Sequence, residues 1–143
     1  MEIQTDFYTI TPYANLLVIK TFLSWDERIV EKHINDVRAI TSRFYQDKTW
    51  GLLSDRREWQ LSTPAAERFF RENAKSALAG MLSHMAICVG ESELKKWQLK
   101  NMIKEFSRFE IKFFGDIQEA ESWLAAYGYC RTPLKEMSAL SHP

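Results

Sequence analysis

The sequence predicts an α/β fold: a mixed, mostly parallel sheet of about five strands, opened by a β-hairpin and accompanied by four helices in the order ββαβαβαβα. Three observations carry that expectation. Apolar residues switch repeatedly between the alternation of strands and the three-to-four spacing of helices. The five glycines, at positions 51, 80, 90, 115 and 128, all fall at borders between such segments. The run His84–Val89 is almost continuously apolar, as in a strand covered on both faces. Strands alternating with helices imply parallel neighbours joined by right-handed crossovers.

Phe7–Thr11 mixes β-branched and aromatic residues, as strands prefer. Pro12 and Asn15 mark a turn into a stronger strand, Leu16–Leu23, and so short a connection predicts an antiparallel hairpin. From Asp26 the period changes: Val30, Ile34, Val37, Ile40 and Phe44 recur at helical spacing, capped by Ser24 or Asp26 and ending near Tyr45. Trp50–Ser54 reads as a short buried strand, and 55–63 as a loop crowded with charged and aromatic residues. Thr63 or Ser62 then offers an N-cap oxygen, with Pro64 at the first helical position, where a missing N–H costs nothing. This helix runs to about Ala79 on the stripe Ala66, Phe69, Phe70, Ala74, Ala77 and Leu78, and Gly80 closes it.

After the strand ending at Val89, Ser92 caps a helix reaching about Ser107. Its apolar positions, Leu94, Trp97, Leu99, Met102, Ile103 and Phe106, spread widely, which predicts cover on more than one side. The stripe Trp97, Met102 and Phe106 reads as core or as a dimer surface. Glu110–Phe114 is a last short strand. Asp116 and Glu119 form a capping-box-like pair at the start of the final helix, Gly128 stands at its C′ position, and 129–143 reads as a loosely held tail.

A chain of 143 residues fits one domain, with its core in about 7–128. Nineteen basic and nineteen acidic residues give zero formal charge, which argues against a generic nucleic-acid or anionic-membrane binder and leaves a homodimer open. Cys88 and Cys130 read as free thiols in a reducing compartment. No apolar run is long enough to span a membrane and the first residues do not form a signal peptide, so the expected location is cytoplasmic, without stable membrane insertion.

The element order, the hairpin-first start and the ending Phe113-Phe-Gly-Asp-Ile-Gln-Glu-Ala-Glu-Ser-Trp-Leu124 together resemble the SpoIIAA-like, or STAS, family of sulfate-transporter and anti-sigma-factor-antagonist domains. The small bacterial STAS-like branch is the nearest likeness, over about residues 7–128. The resemblance implies a non-catalytic regulatory or binding module. In the antagonist branch the loop after the third strand carries an Asp-Ser-x-Gly-like stretch with a phosphorylated serine. Here Ser54-Asp55-Arg56-Arg57-Glu58-Trp59 lacks that glycine, so the phospho-switch is not carried over to any serine. Relatives of the fold that take apolar or anionic ligands leave a carrier role open.

The candidate site is therefore the 55–63 segment: Asp55, Arg56, Arg57, Trp59, Leu61, Ser62 and Thr63. Arg56 and Arg57 beside a helix N-terminus suit a phosphate or carboxylate, or else they pair with Asp55, Glu58 or Glu67 on a solvated loop. Trp59 and Leu61 read as partner anchors or as a lid folded over the sheet end. Ser62 and Thr63 read more readily as caps than as phosphoacceptors. His33, His84 and His142 are scattered, no ligand set has metal spacing, and no cofactor motif is present. Cys88 reads as a small core hydrophobe. Ser54, Asp55 and His84 belong together only if the fold brings them to one sheet edge. Three functions follow: docking of a partner protein or an anion at the 55–63 loop; carriage of a lipid-like or other apolar small ligand; and an enzyme lacking familiar motifs, which a titratable pair in a pocket would support.

Overall fold

The computed structural model describes residues 1–134. Its elements are β1 (Ile3–Gln4), β2 (Tyr8–Pro12), β3 (Leu16–Trp25), α1 (Glu27–Phe44), β4 (Thr49–Ser62), α2 (Pro64–Asn73), a 3₁₀ turn (Ala74–Ala77), β5 (Met81–Cys88), α3 (Glu93–Met102), β6 (Glu110–Phe114) and α4 (Ile117–Ala126). All six strands form one sheet whose spatial order is the chain order. β1–β2 and β2–β3 are antiparallel, and β3–β4, β4–β5 and β5–β6 are parallel. The expected α/β architecture with its N-terminal hairpin is therefore present. The sixth strand is the two-residue β1, too short to show a pattern of its own.

Each parallel crossover advances one strand in the same direction, so connections of one hand put α1, α2 and α3 on a single face. Leu17, Ile19, Leu52, Met85 and Ile87 point into that layer. Their chain neighbours Leu16, Val18, Leu53 and Ala86 point to the opposite face, which α4 covers with Ala120 and Leu124. The alternation is that of a sheet buried on both sides.

The helix starts follow their caps: Asp26, Thr63, Ser92 and Asp116 each accept a hydrogen bond from a first-turn N–H. The expected α1 stripe, Val30 to Phe44, is buried throughout, and His33 and Thr41 are buried with it. Three boundaries differ from expectation. α2 tightens into the 3₁₀ turn at Ala74, and α3 ends at Met102 rather than near Ser107. The largest difference is β4, which continues for fourteen residues to Ser62 instead of surfacing at Ser54.

α3 is covered on one side only: Leu99 and Met102 are buried, while Leu94 and Trp97 are 59% and 67% exposed. The expected loose tail is held through its described part. The ring of Tyr129 lies against Gly51, where a Cβ would come within 2.7 Å of it, and the Ala14 N–H donates to the Thr132 carbonyl at 2.7 Å. Residues 135–143, with His142, lie outside the described residues. No helix among the described residues is long and apolar enough to cross a membrane.

Candidate functional site

β4 delivers the candidate residues, but as strand and not as the expected loop. Pairing runs regularly from Leu16 opposite Gly51 to Lys20 opposite Asp55, then slips, so that Phe22 stands opposite Glu58 and Leu23 opposite Trp59. The extra residue is a β-bulge, which increases local twist and re-aims side chains. The only positive-φ non-glycine residues described, Leu23 (φ 62°) and Leu61 (φ 108°), both lie in this bulged end. Backbone strain is concentrated there.

The two faces of this segment have opposite chemistry. On the α4 side, Arg57 clamps Asp55 from two residues on, Nε and Nη2 donating to the carboxylate at 2.9 and 2.8 Å. Burial works to raise the Asp55 carboxyl, but the Arg57 hydrogen bonds and charge outweigh it and hold the group below its usual range. The same hydrogen bonds hold Arg57 above its ordinary value. Glu58 pairs outward with Lys20 at 3.0 Å. This half is a satisfied ion-pair network; the carboxylate pairing weighed for both arginines on a solvated loop is present for Arg57 alone, and on a strand with Asp55 buried. Cys88 is fully buried nearby, and burial pushes its thiol up, as befits a core residue.

On the helix-layer side, Ser54, Arg56 and Trp59 point inward. Arg56 is only 4% exposed. Its Nε donates to the Ser54 hydroxyl at 3.2 Å, and its guanidinium lies over the rings of Trp59 (4.9 Å), Trp25 and Phe70 (both 5.7 Å). Ring faces attract cations, and more strongly where water is excluded. Arg56 Nη1 nevertheless has no partner, and His33 Nδ1, Trp59 Nε1 and Ser62 Oγ are likewise buried without one. His33 sits edge-on to Tyr8 and Trp25, at 4.5 and 4.8 Å between centroids. Burial first, then the charges of Arg56 and Lys32, push its pKa down to about 3, so the ring is neutral. Burial lowers Arg56 as well, to about 10, which leaves it charged at neutral pH.

Arg56, Ser54 and His33 form the polar end of a cavity of about 50 Å³ between the helix layer and the sheet. Its remaining walls are apolar, among them Ile34, Val37, Phe70, Met85, Leu99 and Ile103. Arg56 is the one charged residue in that lining, and no carboxylate is part of it.

The predicted site residues are thus divided. Arg56 lines the cavity with Trp59 packed against its guanidinium, and Asp55 and Arg57 pair on the other face. Of the two readings of Trp59 and Leu61, exposed anchors or residues folded over the sheet end, the burial agrees with the second: Trp59 is fully enclosed, and Leu61 is half-buried and packed against the core. Ser62 is bridged through its backbone by the Gln98 amide, at 2.9 Å in both directions, and Thr63 caps α2. His84 is not beside Ser54 or Asp55. It pairs with Gly51, three residues back along β4, about 10 Å from Ser54. Sequence reasoning missed His33 and Trp25. The available signal was that His33 falls between Val30, Ile34 and Val37 on the buried stripe of α1.

A crystal structure of an uncharacterized protein from the DUF3478 family with a SpoIIAA-like fold, from Shewanella loihica PV-4, is similar to this chain with a TM-score of 0.61 and 18% identity. The match covers 85% of this chain and 98% of that one. The unphosphorylated anti-sigma factor antagonist SpoIIAA matches with a TM-score of 0.48 and 10% identity, over 85% of this chain and 98% of that one. No protein-family model and no curated protein matches the sequence. The fold is SpoIIAA-like.

Proposed function

We propose that the protein is a binding module that encloses a small apolar acid between the α1–α3 layer and the sheet, with the acid group held by Arg56. A SpoIIAA-like fold is consistent with a regulatory or binding module. The observation that carries the reading is a charged guanidinium, 4% exposed, with an unpartnered Nη1 at the end of an apolar cavity that contains no carboxylate. Burying such a charge costs several kcal/mol unless a counter-charge compensates. Arginine presents a fork of N–H donors that matches a carboxylate, and the surrounding aromatic rings exclude water that would weaken the pair. Neutral His33 lies beside it and can serve the acid as a hydrogen-bond partner without adding charge.

The cavity has room for roughly four water-sized groups, enough for a carboxylate and its first carbons; a branched or aromatic acid requires α2 and α3 to move outward. The test is calorimetric titration of the whole chain with isovalerate and benzoate, and with their uncharged amides. The acids should bind at least about tenfold more tightly than the amides, and Arg56→Met should erase that preference in a folded protein. Equal binding of acid and amide, or no binding of either acid, overturns the proposal.

A further inference from the structure

On the opposite face of the sheet, at the amino ends of β5 and β6, a second polar cluster has no part in the Arg56 cavity. Adjacent residues of a regular strand point to opposite faces, yet Ser83 and His84 meet on one. The cause is a slip in the β4–β5 pairing, where Trp50 stands opposite Leu82 but Gly51 opposite His84, so that Ser83 is the extra residue. Ser83 Oγ lies 2.7 Å from His84 Nδ1 and also meets the hydroxyl of Tyr129. On the other side of the ring, His84 Nε2 is 3.4 Å from Glu110 Oε2, its cross-strand neighbour on β6.

With the imidazole proton on Nε2, the nitrogen that faces the Glu110 carboxylate, Nδ1 is the acceptor of the Ser83 proton. Ser83 Oγ still has lone pairs, one of which takes the Tyr129 O–H. The ring is also immobilised. Tyr127 stacks on it at 3.9 Å between centroids, and Trp123 meets it edge-on at 5.3 Å. Ser83, His84 and Glu110 line an open groove of about 430 Å³, where Phe109 adds an apolar wall and Arg108 a positive charge. A hydroxyl paired to an oriented imidazole, itself faced by a carboxylate, is the arrangement that activates serine as a nucleophile.

We infer that Ser83 is an acyl-transfer nucleophile acting on small carboxylic esters in this groove, with His84 as its general base. Ser83 Oγ forms the bond to the acyl carbon and its proton passes to His84 Nδ1. The bond to the leaving oxygen breaks, and the departing alcohol takes that proton. Water then attacks the acyl-serine, giving its proton to Nδ1; the acid is released and the hydroxyl restored. Tyr129 O–H lies where it can turn from Oγ to the developing oxyanion. Ser83 and His84 are the catalytic residues, and Glu110 is a positioning residue that acts through the ring.

The test exposes the whole protein to an alkyl fluorophosphonate, which marks activated serines, and locates the adduct by peptide mass spectrometry. One adduct is expected, on Ser83, absent from Ser83→Ala and formed about a hundredfold or more slowly in His84→Gln. His84 is packed among aromatic rings, so a second variant guards against misfolding. The Glu110 side chain is 67% exposed, and Glu110→Gln should keep the fold while slowing labelling several-fold. Hydrolysis of p-nitrophenyl acetate should fall in the same order. No adduct on Ser83, or equal labelling rates in the parent and Glu110→Gln, overturns the inference.

Discussion

Trp50 and Trp59 lie on the same strand, both within the core on the helix-layer face, and both are fully buried. Trp50 stacks on Tyr45 at 4.8 Å, and its indole N–H donates to the Ala79 carbonyl at 2.9 Å. Trp59 lies under a guanidinium and its N–H has no partner. The first half of β4 is therefore ordinary core, with every polar group answered. The second half buries charge and unpaired donors beside a strained, bulged backbone. Such groups destabilise a fold that has no use for them, and the proposed binding of an acid at Arg56 would account for the contrast.

Four experiments probe that contrast. Trp50→Phe should cost about 2–3 kcal/mol, because it removes the partner of the half-buried Ala79 carbonyl as well as ring volume; Trp59→Phe, which loses no hydrogen bond, should change stability by less than about 1 kcal/mol. Urea melts of the two variants give both values, and equal costs would erase the distinction. Acid should act through the second half next. His33 is held near pKa 3 in the folded protein against about 6.5 unfolded, so the unfolded chain binds the extra proton. The contribution of His33 is complete above about pH 6.5 and is lost as pH falls toward 3, at up to about 1.4 kcal/mol per unit. His33→Leu should flatten that slope in denaturant melts taken between pH 4 and 7.

Arg56→Met should raise the stability of the unliganded protein by about 1–2 kcal/mol, since methionine keeps contact with the rings and removes a buried charge. A drop in melting temperature would mean that the ring contacts outweigh desolvation. Leu23 is 47% exposed at φ 62°, so Leu23→Gly should relieve strain and add about 0.5 kcal/mol. A thermal melt checks the sign.

Most of the fold is legible in the residues because its devices are local. Asp26, Thr63, Ser92 and Asp116 cap the helices they precede, and Val30 to Phe44 carry an unbroken helical stripe. The end of β4 is not legible in that way. Asp55-Arg-Arg-Glu58 has the charge of a loop, and only the layer of α1 and α2 above it makes burial of Arg56 compatible with a strand. Period-two alternation does place Ser54 and Arg56 on one side and Asp55 and Arg57 on the other, but the bulge breaks the phase before Trp59. Ser83 and His84 present the same difficulty. Neighbours in a strand read as opposed, and it takes the slip against Gly51 to bring them together. Bulges depend on partners distant in the chain, and both polar clusters of this protein rest on one.

Strand order that follows chain order has a consequence for how the protein is made. Each new strand emerges with its neighbour already synthesised, so the sheet can grow outward from the β2–β3 hairpin without waiting for a later segment to be threaded between existing ones. The α1–α3 side is roofed as growth proceeds. The other side is not: Leu53 and Ala86 stay bare until α4 and Tyr129 arrive, the last part of the described chain to be translated. A polypeptide released before that point would carry a finished sheet with one wet apolar face, and would stick to others like itself.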